Sequence, residues 1–183
     1  MKKSLVFFSA ILVASTLFSA CENSNTKNQN KDASGNSENN RIKNEQELRN
    51  ANDQFYAALN AMFIGNLQPM NDIWSHGEDI TNMGPFGGRL EGWIAVGEEF
   101  KKEAAMKLGG KIVCKDLLVR VGNNMGYTVC TEEGENMSAD GKPVVVRFRA
   151  TNIFRLENNQ WKMVHHHTDL SSSLQEATTA ETK

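Results

Sequence analysis

Four consecutive strand-like runs do most to restrict what this chain can fold into. They are Lys111 to Val121, Met125 to Met137, Lys142 to Leu156 and Gln160 to Leu170. Short turn-forming pairs separate them: Asn123-Asn124, Asp140-Gly141 and Asn158-Asn159. Asn and Gly accept positive φ at little cost, so hairpins close at such pairs. Strands joined this way form an antiparallel meander. Two helical stripes come first. Leu48, Ala51, Phe55, Ala58, Leu59 and Met62 recur at steps of three and four, as do Trp93, Val96, Phe100 and Ala104 within Leu90 to Leu108. Gly65 closes the first helix as a left-handed C′ residue, and Gly109-Gly110 ends the second. Between them, Leu67 to Trp74 predicts a short helix with Pro69 in its first turn. Glu78 to Met83 predicts a short strand, and Gly84-Pro85-Phe86-Gly87-Gly88 a loop. Helices first and strands later is an α+β order. A curved antiparallel sheet wrapped on about three helices would bury both stripes and leave a cone-shaped interior.

The first twenty residues read differently. Lys2 and Lys3 precede an apolar run from Ser4 to Leu17, and small residues then lead to Cys21. This is the pattern of a cleaved secretory signal, and the apolar run is short for a membrane span. Leu17-Phe18-Ser19-Ala20-Cys21 resembles a bacterial lipobox, with Phe18 where Leu is usual. The resemblance implies cleavage before Cys21, diacylation of Cys21 and export to a bacterial membrane surface. Glu22 to Asn40 contains one Ala and no other apolar residue. Such a stretch cannot offset its ordering entropy by burial, so a disordered tether is expected over 21–41. A domain follows over 42–170, and then a flexible polar tail over 171–183. With Lys2 and Lys3 removed, 18 basic residues stand against 22 acidic ones, and no basic stripe appears. That sets nucleic acid aside as a partner.

Ile80-Thr-Asn-Met-Gly-Pro-Phe-Gly-Gly-Arg-Leu-Glu-Gly-Trp93, with Val96 and Phe100 after it, resembles a strand–loop–helix segment of one superfamily. Arg149-Ala-Thr-Asn-Ile-Phe154 and Trp161-Lys-Met-Val-His-His-His-Thr-Asp169 resemble its closing hairpin. The superfamily is the nuclear transport factor 2-like one, in its SnoaL-like and ketosteroid-isomerase-like branch, and the likeness covers most of 45–170. It implies a conical pocket for a small, partly apolar molecule and an outer sheet face that can pair two copies. Isomerases, cyclases and dehydratases occur in the branch beside domains without catalysis, so fold alone does not assign a reaction. The branch's isomerase set of carboxylate, Tyr and acid does not map onto this chain residue by residue. Glu132, Glu133 and Asp79 are its carboxylates of interest, and Tyr56 and Tyr127 its only tyrosines.

On the last strand, Trp161, Met163, His165, His167 and Asp169 share one face by alternation. Trp161 and Met163 favour burial, so His165 and His167 are expected inside, as acid/base or ligand-orienting groups, and His166 outside. A two-residue turn at Asn158-Asn159 sets Asn152 opposite His165 and turns Phe148 and Phe154 inward. A three-residue turn sets Thr151 opposite His167 and brings Arg149 inside, where it would bind an anion. Both registers stay open, so Arg149 and Asn152 are both candidate ligand contacts. Trp74, Met83, Phe86, Trp93 and Tyr127 are candidate wall or mouth residues. His166 is expected to face away from its neighbours, so three adjacent histidines do not make a zinc site. No metal and no cofactor is expected. Cys114 and Cys130 are expected as free thiols on opposite sheet faces.

Overall fold

A computed structural model describes residues 26–85, 87–137 and 141–170. Cys21, the segment before it, Phe86 and the tail after Leu170 therefore lie outside the described residues. The chain divides into two units, 1–36 and 37–183. In the first, the described residues from Thr26 onward are helical. The second carries the sheet and the core.

Helix α1 spans Thr26–Phe63. The coil expected as far as residue 41 is thus helical from Thr26. Propagation from an existing helix adds one hydrogen bond for each residue fixed, without the cost of a new nucleus. Surface pairs of the right spacing assist, with Arg41 bonded to Glu38 and Arg49 to Glu45. The apolar stripe lies where the periodicity puts it. Leu48, Ala51, Phe55, Ala58 and Met62 are buried, joined by Asn52 and Tyr56. Gly65, at φ +92°, ends the helix, its N–H donating to the Met62 carbonyl. Helices α2 (Gln68–Ile73) and α3 (Gly92–Met106) follow, separated by the short strands β1 (Thr81–Met83) and β2 (Leu90–Glu91). The chain then enters the meander β3 (Lys111–Val121), β4 (Met125–Met137), β5 (Pro143–Glu157) and β6 (Gln160–Leu170).

The six strands form one curved sheet in the order β2-β1-β6-β5-β4-β3. Consecutive strands from β3 to β6 are antiparallel, whereas β1 runs parallel to β6. Asn158 and Asn159, at φ 50° and 61°, make the two-residue turn between β5 and β6, matching the twist of a hairpin. Phe148, Ala150, Asn152 and Phe154 alternate inward along β5. They meet Phe55, Met62, Trp74, Ile80, Val96 and Phe100 in one core beneath the helices. The architecture is the α+β fold expected from the sequence. No helix among the described residues is long and apolar enough to cross a membrane.

Candidate functional site

The key local feature is a β-bulge in β6. Leu156 faces Trp161 and Phe154 faces Met163, but the next residue, Ile153, faces His165. Val164 is the extra residue, and a bulge of this kind reverses the facing of all that follows. Both candidate hairpin registers therefore occur, one on each side of Val164. Trp161, Met163 and Val164 are buried, and then His166 and Thr168 rather than His165 and His167. The expectation for the three histidines is overturned: His166 enters the interior. His165 and His167 lie half-buried on the other face, 6.3 Å apart by ring centroid, with His165 Nδ1 2.6 Å from the Thr81 hydroxyl.

His166 lines a cavity of about 300 Å³ between the sheet and the helices. Phe55, Phe63, Met70, Phe100, Ile112 and Phe148 supply its apolar walls. Asn82, Glu132, His166 and Thr168 supply its inner polar groups, and Glu99 and Glu103 of α3 also border it. A polar chain behind this wall sets the state of each group. Asn52 Oδ1 accepts from the Thr128 hydroxyl at 2.8 Å and from Asn152 Nδ2 at 3.1 Å. Asn152 Nδ2 also reaches the Tyr56 hydroxyl at 3.4 Å, and that hydroxyl donates to Glu132 Oε1 at 3.0 Å. With its amide nitrogen so used, Asn152 presents Oδ1 to His166 Nδ1, 2.6 Å away. His166 Nδ1 must then carry the proton, leaving Nε2 of the neutral ring as a bare acceptor.

Burial fixes the protonation of these groups. His166 is pushed down to about 3, by desolvation first and then by the nearby His165 and His167. It stays neutral at ordinary pH. Burial pushes Glu132 up to about 7, against the Tyr56 hydrogen bond that favours its charged form. Tyr56 is driven strongly upward, by burial and then by Glu132, and keeps its proton. Glu103 also rises to about 7, through burial and the charge of Glu99. The cavity thus holds an unprotonated imidazole nitrogen and a carboxyl that exchanges its proton near neutrality, joined through Asn152 and Tyr56. This is acid/base equipment in an apolar chamber.

The other residues singled out from sequence fall in several places. Asn152 is fully buried and belongs to the site, holding His166 rather than facing His165. Trp74 is core, tilted on Phe100 at 5.4 Å, and does not line the cavity. Trp93 stacks on His76 at 4.1 Å beside a separate surface groove. Met83 pairs with His167 across the strands and does not line the cavity. Tyr127 is exposed in a shallow groove with Arg120 and Met125. Arg149 is exposed and bonded to Asp169. An inward Arg149 is excluded because it alternates with buried Phe148 and Ala150. Cys114 and Cys130 are free. They lie on one face, not two, because a bulge between Lys115 and Leu118, with Asp116 at φ 54°, shifts the register. Cys130 Sγ lies 3.1 Å from the Tyr56 hydroxyl and Cys114 Sγ 3.7 Å from Asn52 Nδ2. A larger open groove of about 680 Å³ runs along α1 past Trp161, but its charged lining residues Glu47, Asp72 and Lys162 are all at least partly exposed.

Comparison with known proteins agrees with this architecture. The model of the SnoaL-like domain family matches residues 48–171. The chain belongs to the SnoaL-like domain family. The SnoaL-like domain is also similar in fold to several solved structures. One is a candidate dehydratase of the nuclear transport factor 2-like family from Streptomyces avermitilis, with TM-score 0.63 and 22% identity, over 71% of this chain and 97% of that one. A nuclear transport factor 2-like superfamily protein from Salmonella enterica serovar Typhimurium has TM-score 0.63 and 12% identity, over 72% and 94%. A candidate aromatic ring hydroxylase from Novosphingobium aromaticivorans has TM-score 0.60 and 15% identity, over 70% and 90%. No curated protein sequence matches the chain.

Within the SnoaL-like domain, sequence reasoning missed Asn82, His166 and Thr168 and weighed Glu132 only as one of three carboxylates of interest. The available signal was Met163-Val164, two apolar neighbours that interrupt the alternation of β6. Asn52 and Tyr56 sit one helical turn apart on the same face as Phe55, so a polar seam beside the apolar stripe was also legible.

Proposed function

We propose that this SnoaL-like domain binds a small, partly apolar molecule in the cavity bounded by His166 and Glu132. The carrying observation is the chain from His166 through Asn152 and Tyr56 to Glu132, which ties together two polar groups that line a largely apolar chamber. Sites of this kind combine apolar walls with a few placed polar groups. A second reading, acid/base turnover of the isomerase, cyclase or dehydratase kind, draws on the same pair. Its support is a neutral imidazole acceptor and a carboxyl near 7 in one cavity. His165 and His167, on the opposite face, have no part in either reading.

Thermal-shift screening of the full-length protein against small metabolites tests this directly. A ligand found in this way should bind at least tenfold more weakly to His166→Ala and Glu132→Gln. His165→Ala and His167→Ala should change its affinity less than twofold. The reverse ranking would place the ligand elsewhere.

We further propose that Cys21 is diacylated and anchors the exported domain to a bacterial membrane, on the periplasmic side or at the cell surface. The support is the leader and the residues before Cys21. A third proposal is a homodimer through the outer sheet face, where Leu118, Met125, Tyr127 and Val129 are exposed apolar residues on β3 and β4. Such a dimer would also suit a non-catalytic, self-associating scaffold.

A further inference from the structure

We infer that the molecule held in the cavity is a cation: a small primary or secondary ammonium on an apolar body. This rests on the cavity being a ligand site at all, as proposed above. Its border carries three carboxyl side chains, Glu99, Glu103 and Glu132, and no Lys or Arg among the described residues. Glu99 has an outward partner in Lys102 at 3.1 Å. Glu132 is almost completely buried, and the donor that meets it among the described residues is the neutral Tyr56 hydroxyl. Asn82 and Thr168 line the same wall, and among the described residues Asn82 Oδ1 and Thr168 Oγ1 are buried without a partner. His166 adds a third acceptor, because its Nδ1 proton is committed to Asn152.

An unpaired carboxyl and several idle acceptors around one space call for a group that donates several hydrogen bonds and carries positive charge. An ammonium offers two or three donors and no acceptor. The aromatic rings of Phe55, Phe100 and Phe148 in the lining suit a cation as well, since aromatic rings attract cations. An anion would meet carboxyls with no compensating base. A neutral alcohol would satisfy one or two acceptors and leave Glu132 without a counter-charge. The elevation of Glu103 and Glu132 to about 7 has the same origin, crowded or buried carboxyls lacking a cation.

The test is isothermal titration of the full-length protein at pH 8 with three probes of similar shape: 2-phenylethylamine, 2-phenylethanol and phenylacetate. The amine should bind at least tenfold tighter than the alcohol, with phenylacetate weakest. Glu132→Gln should weaken the amine at least tenfold and shift the alcohol less than threefold. Glu103→Gln, less buried and less bound up with the core, should weaken the amine alone by a smaller factor. Equal affinity for amine and alcohol, or tighter binding of phenylacetate, overturns the cation inference while leaving the cavity a ligand site. Amine binding that neither carboxyl variant weakens overturns it too. If none of the three probes binds, the ligand-site reading falls and the cation inference with it.

Discussion

At the scale of single residues, Glu132 has the clearest measurable consequence. Its carboxyl titrates near 7 in the folded protein against an ordinary value of 4.5. The folded state therefore holds the proton more tightly than the unfolded chain. Stability from this group is fully present below about 4.5 and is lost as pH rises through 7. The total is about 3 kcal/mol, because a tenfold change in proton affinity is worth roughly 1.4 kcal/mol. Glu132→Gln removes the titration. The variant should gain on the parent protein between pH 4.5 and 7.5 in parallel thermal melts. A stability difference that stays constant across that range would show that Glu132 does not titrate there. His166 acts in the opposite direction. Its value is depressed to about 3, so the neutral buried ring costs stability only as pH falls below about 6.5, where the unfolded histidine begins to take a proton. Replacing His166 with Ala leaves Asn152 Oδ1 without its donor, and should cost about 1–3 kcal/mol at pH 7 in chemical denaturation.

Between elements, two bulges decide what the sheet presents. The one at Val164 turns His166 and Thr168 inward. The one between Lys115 and Leu118 brings Cys114 to the same side as Cys130, against Asn52 and Tyr56. Close strand contact limits what else can change. A Cβ built on Gly134 would sit 1.9 Å from the Lys111 carbonyl oxygen, a backbone atom that cannot step aside. Gly134→Ala should therefore part β3 from β4 and cost about 3 kcal/mol, the upper part of the range for overpacking. Gly84→Ala meets nothing within 4 Å and should stay within about 0.5 kcal/mol. Urea unfolding of the two variants compares them. Equal midpoints would mean the β3–β4 pairing is looser than its register implies.

For the whole molecule, the proposed anchor and the proposed pairing face make separate predictions. Cys21→Ser removes the only thiol that a lipid could occupy at the end of the leader. The variant should move from the membrane fraction to the soluble fraction on cell fractionation, and intact mass should lose the diacyl increment. The same distribution for both proteins would end the anchoring proposal. On the outer sheet face, Tyr127→Lys sets a charge among exposed Leu118, Met125 and Val129. If that face pairs two copies, sedimentation should show a shift toward monomer. Tyr127 does not line the cavity, so ligand affinity should be unaltered in Tyr127→Lys.

The local pattern of residues determined a good deal by itself. The period-2 runs and their Asn and Gly turns specified the meander, because alternation and positive-φ tolerance are properties of short segments. The three- and four-residue stripes placed α1 and α3 for the same reason. The family resemblance, carried by the Ile80–Trp93 segment and the closing hairpin, pointed to the right fold. Which histidine enters the cavity was decided only in three dimensions. Met163-Val164 hints at a break in alternation, but only the pairing of β6 with β5 shows that one extra residue at Val164 reverses every later side chain. The pairing of Glu132 with Tyr56 likewise joins residues 76 positions apart, a contact that only the wrapping of the sheet around α1 creates.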